Sequence, residues 1–266
     1  MWRVARALQI LELLAAEPQG ARVTDLATTL GLNKAIPHRI LAELRDLGYV
    51  AQDPTTERYR ATFKLGSLGL RQLETAGLSR WARDELEELA ATTKELVRLG
   101  VVSGNVLRFV AKARGAANGE LSIDSALTRN SVRLGSASGR AWLSTLPENE
   151  ALALLSARGP DAPADSTPPD LRSLVEEIAR ARQVGYAVIH GDMEIGINAI
   201  AAPIVPPGSP GGRAVGTVSI AGPSVRLTPG ALDSFVPALR ATVERLGSQW
   251  SAYDYLKAIS GPLEGR

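Results

Sequence analysis

Val4, Leu8, Leu11 and Ala15, widened by Ala7, Ile10 and Leu14, recur at helical spacing and predict a helix over residues 3–16 with one buried face. Pro18 and Gly20 end it. A shorter helix is expected to start at Thr24, whose hydroxyl can cap the free amides while Asp25 faces the positive end of the dipole. Leu26, Ala27 and Leu30 supply its apolar face, and Gly31 stops it where a left-handed residue is wanted. Ile36, Ile40, Leu44 and Leu47 then repeat along a third helix that Gly48 closes. The run "YVAQDPTTERYRA" alternates Val50 and Tyr59 inward with Gln52, Arg58 and Arg60 outward around Asp53-Pro54, a two-stranded hairpin. Helix, short helix, glycine turn, longer helix and hairpin is the order of a winged helix-turn-helix.

Residues 64–74 resume helical spacing through Leu65, Leu68 and Leu73, weakened by Gly66 and Gly69, and read as a linker helix. Ser79 is placed as the cap of a helix running through Trp81, Leu86 and Leu89. From residue 97 the pattern changes to six short β-rich runs, "VRLGVVS", "VLRFVAKA", "ELSIDSA", "GYAVIH", "NAIAAPIV" and "AVGTVSIAG", the first two joined by Gly104-Asn105. Helices are predicted between them at about 138–157, 169–184 and 229–247, the second started by Thr167-Pro168. The fold class is therefore α+β. The tail from residue 251 is read either as a helical extension or as a frayed end.

One residue tests the DNA-binding reading. Pro37 stands inside the third helix, where an amide should donate. If Asn33 is the cap, Pro37 is the fourth helical residue and forfeits the first internal bond; if Lys34 is the cap, it is the third and costs little. Either way a late or distorted opening turn is expected, because proline also pushes Ile36 from helical angles. Lys34, Ala35, His38 and Arg39 would then project from the leading end toward bases and phosphates, with Thr24 beside them and Arg58 and Arg60 on the phosphate backbone. His38 is open to two readings, a DNA contact or a solvated surface histidine.

Composition limits the alternatives. The 266 residues are enough for two units, each with its own core. With no cysteine, disulfides, thiolate nucleophiles and Cys-based zinc sites are excluded, and one histidine outside the first unit offers no metal-ligand spacing. No uninterrupted run of about 18 apolar residues exists, so no membrane span is expected and the cytoplasm is the expected location. The net charge of +2 sits wholly in the first 70 residues, where nine basic side chains face seven acidic ones. "GSASG" resembles the nucleophile elbow of hydrolases, but its centre is Ala137, and a Ser138, His190 and Asp192 triad has no support in spacing. A hydrolase using a serine of that segment is the alternative function; no enzyme activity is expected. "GSASG" also precedes a helix, so its amides make an anion site, or Ser136 or Ser138 simply caps.

The stretches "RALQILELLA", "TDLATTLGLNKAIPHRILAELRDLGYV", "GSASGRAWLSTLP", "ARQVGYAVIHGDMEIGINAIAAPIV" and "VGTVSIAGP" resemble, in order and spacing over nearly the full length, the isocitrate-lyase-regulator (IclR) family of bacterial transcription factors. The resemblance implies an N-terminal winged helix-turn-helix over 1–63, a linker helix over 64–78, a GAF-like antiparallel-sheet effector-binding domain over 79–250 and a tail over 251–266. It implies double-stranded palindromic operator DNA, a small organic acid and a second copy of the chain as partners, in dimers that can pair into tetramers, with no cofactor. Matched position by position, the effector pocket corresponds to Leu121, Ile123, Ser131, Ala137, Ser138, Ile189, Ala199, Ser219 and Ala221. Ile189, Ala199 and Ala221 stand where some members carry polar or acidic residues, which implies a more apolar pocket and a larger acid. Arg140 replaces the family's usual lysine, and Pro37 a common β-branched or hydroxyl residue.

Overall fold

The computed structural model describes residues 2–75, 81–115, 132–157, 171–191 and 195–250. The predicted "ELSIDSA" strand, Ser79, Thr167-Pro168, Asp192 and the tail from 251 lie outside the described residues, as do Leu121, Ile123 and Ser131. Contacts divide the chain into two compact units, residues 1–73 and 74–266.

In the first unit α1 (Trp2–Ala16), α2 (Val23–Thr29) and α3 (Ala35–Asp46) precede a hairpin of β1 (Val50–Gln52) and β2 (Tyr59–Ala61), and α4 (Phe63–Thr75) follows. Ile10, Leu11 and Leu14 of α1 bury against Leu26, Ile40, Leu41, Leu44, Val50 and Tyr59. The predicted face of α1 is thereby corrected: Val4 and Leu8 are 68% and 56% exposed, because the core takes only the Ile10 side of a helix that is apolar over more than one stripe. Leu47, placed on the buried stripe of α3, is likewise exposed, and Leu41 is fully buried instead.

Thr24 does not cap α2. The extended residue before the helix is Arg22, whose amide donates to Asp25 Oδ2 at 3.1 Å, so the helix starts two residues earlier than a threonine cap would allow. Both predicted glycine stops hold. Gly31 takes φ 61°, with its amide on the Thr28 carbonyl and that of Leu32 on Ala27; Gly48 takes φ 77°, with its own on Arg45 and that of Tyr49 on Leu44. These paired bonds satisfy the last carbonyls of each helix. Lys64 Nζ adds a cation there, donating to the Leu47 carbonyl at 2.6 Å.

The second unit holds α5 (Trp81–Thr93), β3 (Leu96–Ser103), β4 (Val106–Arg114), α6 (Ala137–Leu143), α7 (Glu148–Ser156), α8 (Leu171–Val184), β5 (Ala187–His190), β6 (Ile197–Ile204), β7 (Gly216–Pro223) and α9 (Pro229–Trp250). The strands form one antiparallel sheet in the order β4-β3-β7-β6-β5. Register and alternation put Val97, Leu99, Ile220, Val218, Ile200 and Ala202 on the face covered by α5 and α9. The opposite face carries two apolar clusters. One joins Val102 and Leu107 to Trp142, Leu143, Leu174 and Ile178. The other joins Ala187, Ile189, Ala199, Ala201 and Ala221 to Ala137 and Ala141 of α6 and Ala181 of α8. Alanine on both surfaces lets α6 lie close to the strands.

The helix predicted at 138–157 is two helices. Pro147 lacks an amide and disfavours helical angles at Leu146, so the chain turns there, and Arg182 holds the turn by donating to the Ser144 and Leu146 carbonyls at 2.9 and 2.7 Å. At the other end of the sheet, buried Glu95 receives both Arg226 Nε and Nη2, at 2.7 and 2.9 Å, a bidentate pair. Gly222 leaves room for that carboxylate, since a Cβ there would stand 2.4 Å from Glu95 Oε2.

Candidate nucleic-acid interface and effector face

The start of α3 decides whether its leading end is available to DNA. Asn33 Oδ1 accepts the Ala35 amide at 3.0 Å, and the Asn33 carbonyl accepts that of Ile36 at 3.0 Å. Lys34 is the cap, and the first internal bond runs from the His38 amide to the Lys34 carbonyl at 3.3 Å. Pro37 is therefore the third helical residue, in the turn whose amides have no internal partner, and its ring is buried beside Ile40 and Leu41. Lys34, Ala35, His38 and Arg39 are all exposed along one side of this end, at spacing i, i+1, i+4 and i+5. Thr24 on α2 is exposed as well.

The wing differs from its prediction. Val50 and Tyr59 are buried as expected, but Arg58 is half-buried and its Nη1 donates to the Gly20 carbonyl at 2.7 Å. Arg60 is exposed, with Nε on the Gln19 carbonyl at 3.4 Å. Alternation places both Cα–Cβ bonds correctly, yet an arginine stem is long enough to bring its head back to the loop after α1. That loop joins the wing through Ala21, which exchanges backbone bonds with Tyr59 at 3.0 and 2.8 Å. Gly20 is buried against the same strand: a Cβ there would meet the Tyr59 carbonyl oxygen at 2.5 Å. At the tip, Asp53 Oδ1 accepts the Thr55 and Thr56 amides, both at 2.9 Å, and these bonds hold its carboxyl below the ordinary carboxylate value.

In the second unit Ser136 is the cap of α6: its hydroxyl donates to the Arg133 carbonyl at 2.7 Å and accepts the Gly139 amide at 3.2 Å. Ser138 is inside the first turn and buried. Gly139 has no room for a side chain, because a Cβ would stand 2.3 Å from the Leu134 carbonyl oxygen and 2.5 Å from that of Arg133. Arg140 is buried and ties the loop before α6 to its surroundings, with Nε on the Gly135 carbonyl at 2.8 Å and Nη1 3.6 Å from Glu177.

Of the sequence-matched effector positions, Ala137, Ile189, Ala199 and Ala221 meet in one buried cluster, and Ser219 shares their face through its pairing with Ala201. Register adds residues that no local pattern marks. Arg98 lies directly across from Ser219 on β3, and Thr217 across from Gly100. The Ser219 and Thr217 hydroxyls are buried, and neither has a hydrogen-bond partner among the described residues. A cation and two unsatisfied hydroxyls thus border an alanine-lined surface. As for the imagined triad, Ser138 is buried, His190 is exposed at the end of β5 and Asp192 lies outside the described residues. Among the described residues no helix is long and apolar enough to cross a membrane.

Comparison with known proteins agrees with both halves. Residues 3–54 match the IclR helix-turn-helix domain, and residues 70–248 match the model described as bacterial transcriptional regulator IclR C-terminal. The HTH-type transcriptional regulator KdgR of Escherichia coli strain K12 is 26% identical over 254 residues, 95% of each chain. An IclR transcriptional regulator from Alicyclobacillus acidocaldarius has the same fold at a TM-score of 0.77 and 24% identity, over 94% of this chain and 99% of that one. An IclR homologue from Microbacterium hydrocarbonoxydans, crystallised with 4-hydroxybenzoate, superposes with a TM-score of 0.70 at 20% identity, over 94% and 99% of the two chains. With a helix-turn-helix at one end and this α+β unit at the other, the chain belongs to the IclR family of bacterial transcriptional regulators.

Proposed function

We propose that the chain is a cytoplasmic regulator that binds a palindromic operator as a homodimer, and that a small organic acid on the second unit changes its affinity for that DNA. Residues 1–63 read DNA, 64–78 link, and 79–250 sense the acid. The observation that carries this reading is the cap at Lys34, which leaves Lys34, Ala35, His38 and Arg39 exposed at an intact helix start despite Pro37. A helix presented this way lies in the major groove, where Arg39 reaches a guanine edge or phosphate, Thr24 a phosphate, and exposed Arg60 the flanking backbone, while Arg58 braces the wing on the Gly20 carbonyl. Exposed Trp2, Val4 and Leu8 on α1, and Phe63, Leu65, Leu68 and Leu70 on α4, supply apolar surface for self-association. Dimers pairing into tetramers would let one protein span two operators.

The acid lies over Ala137, Ile189, Ala199 and Ala221, next to Ser219 and Ser138, with Leu121, Ile123 and Ser131 completing the site. The 4-hydroxybenzoate held by the Microbacterium hydrocarbonoxydans homologue supports an organic acid as the class. The test is a salt-controlled shift assay on the DNA upstream of the chain's own coding region. Arg39→Ala lowers operator affinity by about fivefold to a hundredfold, more than it lowers bulk DNA affinity, while Arg60→Ala lowers both alike. No salt-sensitive binding, with or without organic acids, overturns the reading.

A further inference from the structure

On the DNA-binding reading above, on which this step rests, the composition of α3 limits which bases it can recognise. We infer that α3 reads its half-site as a row of methyl, guanidinium and methyl: Ala35 and Ala42 meet thymine methyl groups, and Arg39 between them meets a guanine. The half-site therefore carries A·T pairs on both sides of a G·C pair, within about four base pairs.

The face that α3 turns outward follows from the face it buries. Pro37, Ile40, Leu41 and Leu44 are the buried residues of this helix. At about 3.6 residues per turn, the direction opposite them falls within about 40° of Ala35, Arg39 and Ala42, with His38 and Glu43 on the flanks. Ala35 and Arg39 are exposed and Ala42 is half-buried. Ala35, His38, Arg39 and Ala42 stand at i, i+3, i+4 and i+7, a spacing with which a helix reads base edges along the major groove. At about 1.5 Å per residue, the two alanines are about 10 Å apart along the axis, or three base-pair steps of about 3.4 Å. What α3 lacks is equally informative. Its 12 residues include no Asn, Gln, Ser or Thr, so the adenine edge has no matching partner on this helix and an A·T pair is distinguished by its thymine methyl. The outward carboxylates, which could accept from cytosine, lie beside arginines: Glu43 pairs with Arg3 of α1, and Asp46 stands 3.8 Å from Arg45. Arg39 has no carboxylate partner among the described residues, so its planar fork is available to the two acceptors of a guanine. Alanine projects least from a helix, so at both positions the backbone can approach until methyl touches methyl, and a cytosine there would leave a gap.

The experiment takes the full chain and a duplex selected from a random pool for tight binding, and changes one base at a time. Each thymine is replaced by deoxyuridine, which removes only the methyl, and each guanine by 7-deazaguanine, which removes the N7 acceptor. Expected are two thymines in each half-site whose methyl loss weakens binding about fourfold each, and between them one guanine whose change weakens it about tenfold. Each effect belongs to one side chain: that of the first thymine vanishes in Ala35→Gly, that of the second in Ala42→Gly and that of the guanine in Arg39→Ala. Where a glycine variant fails to fold, the wild type carries the test, and 5-methylcytosine at the same two positions has to bind more tightly than cytosine. Thymine methyls whose loss changes nothing in the wild type, or a methyl effect that persists in both glycine variants, overturn the inference while DNA binding stands on its salt dependence. A full chain that selects no duplex in a salt-sensitive way overturns both.

Discussion

Replacing Pro37 by alanine, set against moving the proline one residue on in His38→Pro, measures how α3 begins. Proline at residue 37 blocks no internal bond, because the first belongs to the His38 amide. Pro37→Ala removes two buried ring methylenes at about 0.8 kcal/mol each and restores unfolded-chain freedom, about another 0.4–1 kcal/mol. Releasing Ile36 from the restriction that a following proline imposes offsets about 1 kcal/mol of this, leaving a net loss of about 1–2 kcal/mol. His38→Pro buries nothing less, since His38 is exposed, but it deletes the 3.3 Å bond to Lys34 and puts a proline ring against that carbonyl, at about 3 kcal/mol or more. Hydrogen exchange of peptides spanning residues 35–46, read by mass spectrometry on the full chain, reports this opening without requiring the second unit to unfold. Exchange should quicken about 5-fold to 30-fold in Pro37→Ala and by more than about 100-fold in His38→Pro. Equal acceleration in the two variants, or a larger one in Pro37→Ala, would refute the Lys34 cap and with it the account of why the leading end survives a proline.

Three more outcomes follow from contacts elsewhere. Gly139→Ala gains about 1 kcal/mol of helix propensity but drives a methyl into two backbone carbonyls that cannot swing away; a net loss of about 2 kcal/mol and a displaced α6 are expected, seen as a lower melting temperature and a lost response to acids, and a more stable variant would contradict the contact. Arg226→Met strands the buried Glu95 carboxylate and should cost about 3–5 kcal/mol in urea unfolding, whereas adding Glu95→Gln to it recovers much of that; equal costs for the single and double variants would show the pair to be inert. The amides of Thr56 and Thr55 lower the Asp53 carboxyl, so its contribution to the wing is complete above an unfolded value of about 3.9 and is lost as pH falls through the lower folded value. Exchange protection of residues 50–61 should follow that acid limb in the wild type and be flatter in Asp53→Asn.

What could be read in the sequence was what depends on neighbours in the chain. Gly31 and Gly48 were legible as helix stops because few other residues tolerate the positive φ they adopt, and the order of elements in the first unit followed from them. The cap at Arg22 was less so, since Thr24 is the better capping side chain and only the backward reach of Asp25 decides between them. The break between α6 and α7 was visible in Pro147, and apolar spacing alone concealed it. The face of α1 was ambiguous by nature: two stripes qualify, and which one the core takes depends on α3 and the wing.

The parts that bear on function depend on pairs far apart in the chain, and there the pattern was silent for a physical reason. Alternation in "VRLGVVS" places Arg98 and Gly100 on one face, but only the β3–β7 register sets them opposite Ser219 and Thr217, more than a hundred residues away. Arg58 illustrates the same limit from the other side: its period puts it outward, while the Gly20 carbonyl, 38 residues earlier, draws its head back. A side chain's direction is local; its partner is not. That face of the sheet therefore reads as apolar when its residues are taken one at a time, as Ile189, Ala199 and Ala221 are, and as an alanine surface bordered by Arg98, Ser219 and Thr217 once the strands are paired.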